Sequence, residues 1–120
     1  HLLSLKGTDL GQIRSKDLAA SIEAGDKTVE KIVRDAAQWT GYAMAGVVHL
    51  LAPDIIVVGG GLVEAMPKLI KEEVTFGLSK NLMDPFKNTY EVRIATLGDA
   101  ASVMGAAALA EKEIDAKNSV

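Results

Sequence analysis

The sequence contains no cysteine, and this absence removes several kinds of site at once. A disulfide framework, a thiol nucleophile and a thiolate-ligated zinc site are all excluded within its 120 residues. Histidine is nearly as scarce, since His1 and His49 are the only two and lie far apart in sequence. We therefore expect no metal site in this chain.

An excess of basic residues is also lacking, because 13 Lys and Arg stand against 16 Asp and Glu, for a formal net charge of -3. A protein whose main task is to bind a phosphate backbone needs a basic surface. The longest nearly uncharged stretch, residues 39–52, is too short to span a bilayer and includes His49. No basic-then-apolar signal opens the sequence. We expect a cytoplasmic protein that contacts neither nucleic acid nor a membrane.

The composition that is present fits one globular domain over residues 1–120, with 48% hydrophobic and 24% charged residues. The sequence begins at His1 rather than at a methionine. This start suggests a processed chain, a tag remnant or a fragment of a longer protein.

Two helices are predicted in the first half of the chain. Ser15 can cap a short helix over about residues 15–24. Asp26 can cap a second helix over about residues 27–51, in which apolar residues recur at helical spacing. Pro53 stops this second helix.

Two strands, each followed by a helix, are predicted in the second half. Residues 55–58 are β-branched without alternation, which predicts a strand buried on both faces, as in a parallel sheet. Residues 90–96 alternate, which predicts a half-buried strand. Helices are expected over about residues 66–80 and 100–114, so the fold is α/β in the order α-α-β-α-β-α. Two strands do not make a stable open sheet, so we expect this domain to be incomplete on its own.

The clearest candidate site is the triplet Gly59, Gly60 and Gly61, between the first predicted strand and a helix. Glycines permit positive φ and let a ligand lie against the backbone. Ligands of parallel sheets bind at the carboxyl ends of strands, and the helix that follows would offer N–H groups to an anion. The pattern is not a dinucleotide fingerprint, because Glu64 stands where the third glycine belongs, and it is not a P-loop. A tight turn without a ligand is the alternative.

A second turn, Leu97-Gly98-Asp99, precedes a run of small residues in the last predicted helix. Asp99 acting as a helix cap, with the small residues packing closely against a neighbour, explains this pattern better than a ligand does. His49 is interpreted as a core or interface histidine with one nitrogen satisfied. No nucleophile or general base with a visible partner is present, so the sequence assigns no catalytic residue.

The segment from Ala52 to Leu62, which includes the glycine triplet, resembles the carboxy-terminal part of the ROK family of bacterial sugar kinases and sugar-responsive repressors. Two further segments agree with that family in order and spacing. Residues 24–26 resemble its A-x-G-D element before the long helix, and residues 97–107 resemble its closing L-G-x-x-A-x-x-x-G-A-A stretch. The resemblance covers about residues 10–112.

The resemblance implies a ribonuclease-H-like, actin-like ATPase fold with two lobes, of which this chain is the carboxy-terminal, nucleotide-side lobe. It implies that Gly59, Gly60 and Gly61 line the adenosine side of an ATP site, with Mg²⁺ in the full-length parent. That parent would be a glucokinase-like ATP:sugar phosphotransferase. The family's D-x-G-x-T motif, catalytic Asp and Cys-rich zinc motif are absent from this sequence. We therefore expect the fragment itself to be inactive.

Two other functions stay open at this point. The chain could be the effector lobe of a ROK-type repressor, whose helix-turn-helix would lie upstream, or a free-standing α/β binding or assembly module. In each case we expect a homo-oligomer, because family members commonly dimerise. The predicted surfaces are residues 41–51 and 100–109, which are more apolar than two strands can cover.

Overall fold

A two-stranded parallel sheet with helices on one face forms the body of the protein. The computed structural model describes residues 2, 4, 7 and 9–118. The helices and strands are, in order, α1 (Ser15–Glu23), α2 (Lys27–Leu51), β1 (Ile55–Val58), α3 (Gly61–Ala65), α4 (Pro67–Asn81), β2 (Glu91–Ile94) and α5 (Ala101–Asn118). Short 3-10 turns occupy Leu10–Gln12, Asp84–Phe86 and Gly98–Ala100. Within residues 9–118, the predicted order of helices and strands lacks α3, a short helix that the structure inserts between β1 and α4.

Helix α2 has the predicted bounds because both of its ends have strong local signals. The Asp26 carboxylate accepts the N–H groups of Thr28 and Val29, each at 3.1 Å. The hydrogen bond from Val29 is the main cause that lowers the pKa of the Asp26 carboxyl. At the other end, Ala52 adopts a left-handed conformation with φ 46°, directly before Pro53. The predicted cap and stop are both confirmed.

Helix α1 begins at Ser15, but Ser15 does not cap it as predicted. Arg14 is the N-cap residue, and its N–H donates to the Asp17 carboxylate at 2.8 Å. The cap is therefore one residue earlier than the sequence suggests, and it depends on an acidic side chain in the first turn. The Ser15 hydroxyl lies instead against Gly61, at the beginning of α3.

Helices α2 and α4 approach so closely at two glycines that neither position has room for a side chain. A methyl group on Gly41 would lie 2.7 Å from the backbone nitrogen of Leu78. A methyl group on Gly77 would lie 2.9 Å from the carbonyl carbon of Gln38. Both glycines are buried, so backbone packs directly against backbone at this crossing.

A polar cluster connects the amino-terminal halves of the same two helices. Arg34 pairs with Glu73 on α4 and with Glu30 on its own helix, at 2.9 Å in the second case. Gln38 Nε2 donates to Glu73 Oε2 at 2.6 Å. The hydrogen bond from Gln38 and then that from Arg34 lower the pKa of the Glu73 carboxyl, while partial burial opposes them.

His49 connects the other end of α2 to the segment after α4. Its Nε2 accepts the N–H of Met83 at 3.1 Å, and its ring meets Phe86 edge-on with centroids 5.1 Å apart. The predicted histidine with one satisfied nitrogen is confirmed. Because Arg34 contacts Glu73 at one end and His49 contacts Met83 at the other, α2 and α4 run in the same direction.

Two hydrophobic clusters lie between the helices and the sheet. The first is formed by residues of α2, α3 and α4 around Val74, and the second by the carboxy-terminal half of α2 with α4 and β2 around Leu78. Their buried members are Val29, Val33, Ala37, Val63, Met66, Ile70 and Val74 in the first, and Ala45, Val48, Leu78, Leu82 and Val92 in the second.

The sheet is covered on one face only by the described residues. Residues 55–58 pair in parallel with residues 91–94. Ile55 and Val57 point away from the helices and are 46% and 63% exposed. The prediction that β1 is buried on both faces is therefore wrong for the described part of the chain, because no described element lies against its second face. The predicted alternation of β2 is confirmed, with Val92 buried between exposed neighbours.

Helix α5 extends away from the body. All side chains of residues 101–117 are exposed, so the predicted close packing of its small residues is wrong within the described chain. Its 18 residues make it about 27 Å long, and the molecule measures 62 Å along its longest axis. The Cα radius of gyration is 18.4 Å, against roughly 14 Å for a compact chain of this length. The helix also continues to Asn118, beyond the predicted end near residue 114.

Candidate functional site

The two glycine-containing turns lie side by side because they follow neighbouring parallel strands. The pairing continues one residue beyond the strands, where the N–H of Ala95 donates to the carbonyl oxygen of Val58 at 2.8 Å. The turn of residues 59–61 and the turn of residues 97–99 therefore leave the same edge of the sheet. This edge is where ligands of parallel sheets bind.

Within the triplet, only Gly60 has open space in front of it. Its φ of 107° and ψ of 170° form a conformation that is readily available to glycine alone, and a methyl group there would meet nothing within 4 Å. Gly59 and Gly61 face neighbours instead. Methyl groups on them would lie 3.0 Å from Ala95 Cβ and 2.7 Å from Ser15 Oγ, respectively. The backbone is thus bare at Gly60, which a ligand could approach directly.

Two acidic residues lie at the second turn, one in contact with it and one within it. Glu64 extends from α3 to the second turn, where its Oε1 lies 3.0 Å from the position that a methyl group on Gly98 would occupy. Asp99 follows Gly98 in the 3-10 turn that precedes α5, and no side-chain cap of that turn is formed. The N-cap residue of that turn is Leu97, so the capping of the last helix by Asp99 stays a prediction. The negative charge makes the site better suited to an uncharged part of a ligand than to a bare anion.

The helix that follows the triplet is short, so its dipole would add little to the predicted anion site. Helix α3 spans only Gly61–Ala65, so its few peptide dipoles sum to little. Met66, with φ -141°, separates α3 from α4, and α4 begins with Pro67, which has no N–H to offer. The predicted contact of an anion with the first-turn N–H groups of α3 stays a prediction.

An apolar cavity of about 180 Å³ opens beside the first glycine of the triplet. Its lining combines the end of β1, the first residues of α3 and one flank of α2, including Gly59, Leu62 and Thr40. Such a recess is large enough for one part of a small ligand, since complete drug-sized ligands occupy about 300–1,000 Å³. The geometry therefore provides a bare backbone turn with an uncharged recess next to it.

The glycines were predictable, but their neighbours were not. Glu64 lies in the helix that begins at Gly61, but Ser15 and Thr40 belong to α1 and α2, and no spacing in the sequence connects these two residues to the triplet. Only the packing of α1 and α2 against α3 brings them to this edge of the sheet. To identify these neighbours from the sequence, one would have needed to know which distant positions are in contact.

The described residues show neither a metal-binding cluster nor a membrane span. No group of three or more His, Cys, Asp or Glu side chains among residues 2, 4, 7 and 9–118 is arranged to hold an ion. In the same part of the chain, no helix has the length and apolar character needed to cross a bilayer.

Comparison with known sequences identifies relatives of this chain. The sequence matches the model of the ROK family over residues 2–113. It is 30% identical over 103 residues to the glucokinase of Halalkalibacterium halodurans, covering 86% of this chain and 31% of that protein. It is 29% identical over 105 residues to the glucokinase of Thermotoga maritima, covering 83% and 31%. The chain thus spans about a third of the length of these curated relatives.

Solved structures with the same fold are also found. A ROK family glucokinase from Streptomyces griseus, in complex with glucose and AMPPNP, superposes with a TM-score of 0.76 at 27% identity, covering 90% of this chain and 35% of that one. A sugar kinase structure from Cytophaga hutchinsonii superposes with a TM-score of 0.71 at 22% identity, covering 91% and 38%. The α/β arrangement described above therefore matches part of these structures.

Proposed function

Because the chain belongs to the ROK family, we propose that it is the carboxy-terminal, nucleotide-side lobe of a sugar kinase with a two-lobed, ribonuclease-H-like fold. The observation that supports this most strongly is the bare backbone of Gly60 at the carboxyl edge of a parallel sheet, inside a family match over residues 2–113. The exposed second face of β1 and the unpacked helix α5 are also consistent with a longer protein.

In this proposal, Gly59, Gly60 and Gly61 bind the adenosine part of ATP. The open space at Gly60 lets a sugar or base lie against the backbone, and the cavity beside Gly59 receives a flat apolar ring. The carboxylate of Glu64 at this edge favours hydroxyl groups over phosphate, since a carboxylate accepts hydrogen bonds and repels anions.

The complete enzyme would transfer the γ-phosphoryl group of ATP to a hexose hydroxyl, a reaction that depends mainly on positioning and charge neutralisation. No group of three or more His, Cys, Asp or Glu side chains among the described residues is placed to hold an ion, so Mg²⁺ in the complete enzyme would be held mainly by the ATP phosphates, water and residues outside the described part of the chain. The general base that takes the hydroxyl proton would likewise lie outside this chain. A homo-oligomer is part of the same proposal.

The class of reaction is tested on the longer protein. Supplied with ATP, Mg²⁺ and a panel of hexoses, it should release ADP with at least one sugar and with none when sugar is omitted. Absence of ADP with every sugar, in a protein that binds a hexose, would contradict the kinase proposal and favour a sugar-responsive repressor.

The nucleotide site is tested with substitutions at two glycines that both have positive φ. Gly60 and Gly25 both have positive φ, 107° and 89°, and a methyl group on either meets nothing within 4 Å. Gly60→Ala and Gly25→Ala should therefore each cost on the order of 1 kcal/mol of stability. Only Gly60→Ala should weaken AMPPNP binding, measured by calorimetry well below the melting temperature. Unchanged affinity in a folded Gly60→Ala variant would refute the assignment.

A further inference from the structure

A polar concavity of about 320 Å³ opens at the amino end of β2. Its lining combines two residues of α4 with residues from the loop before β2 and from the beginning of that strand. Because β2 spans four residues, about 10 Å, the concavity and the glycine-containing turns lie at opposite ends of the strand. We call it the α4–β2 concavity and define it by its lining residues Lys71, Thr75, Asn88, Tyr90, Glu91 and Val92.

Four polar side chains of this lining make no hydrogen bond and no ion pair with the described part of the chain. They are Lys71, Thr75, Asn88 and Tyr90. Lys71 and Thr75 are four residues apart, so they lie on the same face of α4. An ammonium, two hydroxyls and a carboxamide can each donate a hydrogen bond. Four donors that the described chain does not use therefore line one concavity.

Tyr90 is the most firmly held of the four donors. Its ring packs against the hydrophobic cluster around Leu78 and is half-buried. Burial raises the pKa of the phenol, so its hydroxyl remains a donor throughout the neutral range. Thr75 is half-buried as well. Donors that are already fixed by packing lose less side-chain entropy when a ligand binds.

The charged groups at the concavity leave a positive balance. Lys71 contributes one positive charge, and the negative charge of Glu91 is offset by Arg93, whose Nη2 donates to Glu91 Oε2 at 2.7 Å. That hydrogen bond is the main cause that lowers the pKa of the Glu91 carboxyl, and the charge of Lys71 adds to it while desolvation opposes it. Lys71 is therefore near enough to act on Glu91, although the two form no ion pair.

We propose that the α4–β2 concavity binds a phosphate group, with Lys71 as its cationic partner and Thr75, Asn88 and Tyr90 as neutral donors. A phosphate group accepts several hydrogen bonds at once, and lysine binds it as a point charge. A cation would be repelled by Lys71, and a neutral ligand would leave the lysine charge without a partner. Inorganic phosphate and a phosphate monoester share this chemistry. The inference does not depend on the nucleotide site.

Titration with inorganic phosphate, followed through backbone amide resonances at constant ionic strength, tests the site. Saturable shift changes should occur at residues 71, 75, 88 and 90, and residues 101–117 of α5 should not respond. A parallel titration with glycerol 3-phosphate separates the two sources, because the tighter ligand identifies whether the site takes the free ion or the ester. Sodium chloride is the reference for screening. Equal responses to phosphate and chloride would overturn the proposal.

Two lysines of α4 provide a matched pair of variants. Lys68 and Lys71 are both exposed, but only Lys71 lines the concavity. Lys71→Gln should raise the phosphate dissociation constant at least about tenfold, because it removes a charge-assisted hydrogen bond. Lys68→Gln removes the same charge and should change the constant less than about twofold. Equal weakening by both variants would show a response to overall charge alone and would overturn the proposal.

The neutral donors are tested by variants that keep the shape of each side chain. Tyr90→Phe and Thr75→Val each remove one hydroxyl, and each should weaken phosphate binding about two- to tenfold. The phenyl ring still packs against the cluster around Leu78, so Tyr90→Phe should melt close to the wild type. If neither variant changes the dissociation constant while Lys71→Gln does, the anion contacts the lysine outside the concavity, and the proposal is overturned.

Discussion

The close crossing of α2 and α4 makes a specific prediction, namely that alanine destabilises the protein at Gly41 and Gly77 although both lie inside helices. Alanine normally stabilises a helix relative to glycine, by about 0.5–1 kcal/mol. Here the new methyl groups would lie 2.7 Å from Leu78 N and 2.9 Å from the Gln38 carbonyl carbon. Comfortable carbon contacts need about 3.5–4.0 Å, so the helices would have to separate by roughly 1 Å.

The expected loss of stability follows from the contacts that this separation of α2 and α4 would disrupt. The atoms in the way are backbone atoms, which cannot rotate aside, and the buried side chains of both clusters lie along the same interface. Overpacking of this kind costs typically 1–3 kcal/mol, and the loss of contacts on both sides of the crossing adds to it. After the helix propensity gain, Gly41→Ala should lose about 2 kcal/mol, which lowers the melting temperature by roughly 8 °C in a chain of this size.

The assay is thermal unfolding followed by circular dichroism, with Gly105→Ala as control. Gly105 lies inside α5, where a methyl group meets nothing within 4 Å, so alanine there should raise the melting temperature slightly or leave it unchanged. Gly77→Ala should behave like Gly41→Ala. If Gly41→Ala melts at or above the temperature of Gly105→Ala, the proposed backbone contact does not exist.

Two predictions concern the charged groups of α2 and α4. Asp26→Ala should lower the melting temperature at pH 7, and Asp26→Asn should restore most of it. Because the pKa of the Asp26 carboxyl is lowered by folding, its charge stabilises the protein above the ordinary value of 3.8, and the stabilisation is lost as the pH falls through the lowered value. The advantage of the wild type over Asp26→Asn should thus disappear in melting scans as the pH falls from 3.8 through the lowered pKa, while both stay above Asp26→Ala because a neutral carboxyl or carboxamide still accepts a hydrogen bond. A difference between the wild type and Asp26→Asn that does not change with pH would contradict this. Glu73→Gln should keep the contact with Gln38 but lose the charge that pairs with Arg34, at a cost of about 1 kcal/mol or less that shrinks in 1 M salt. A cost independent of salt would indicate packing instead.

Helices and strands whose ends are marked by nearby residues were predictable from the sequence. Helix α2 has its cap at Asp26 and its stop at Pro53, so its bounds are set by neighbouring residues. Helix α3 was missed because it spans only five residues, less than two turns, and its apolar residues show no helical period. The exposure of Ile55 and Val57 was missed for a different reason. An apolar strand residue gives the same sequence pattern whether or not the element that packs on it lies in the described chain.

The candidate site also has a part that was predictable from the sequence and a part that was not. The triplet after β1 was predictable because glycine after a buried strand is a local pattern, and Gly60 does have the positive φ that this pattern suggests. The contact of Glu64 with the second turn and the cavity beside Thr40 depend on contacts between segments that are far apart in sequence. The length of α3, which determines its dipole, could not be read from the pattern either.

The central claim, that a nucleotide binds at the bare backbone of the triplet, is tested most directly by following backbone amide resonances during a titration with AMPPNP. The largest chemical shift changes should occur at residues 59–61 and 97–99, with smaller ones at Thr40 and Leu62 around the cavity. Residues 101–117 of α5 should not respond. Saturable shifts concentrated elsewhere, or none at residues 59–61 in a folded protein that binds AMPPNP, would contradict the account.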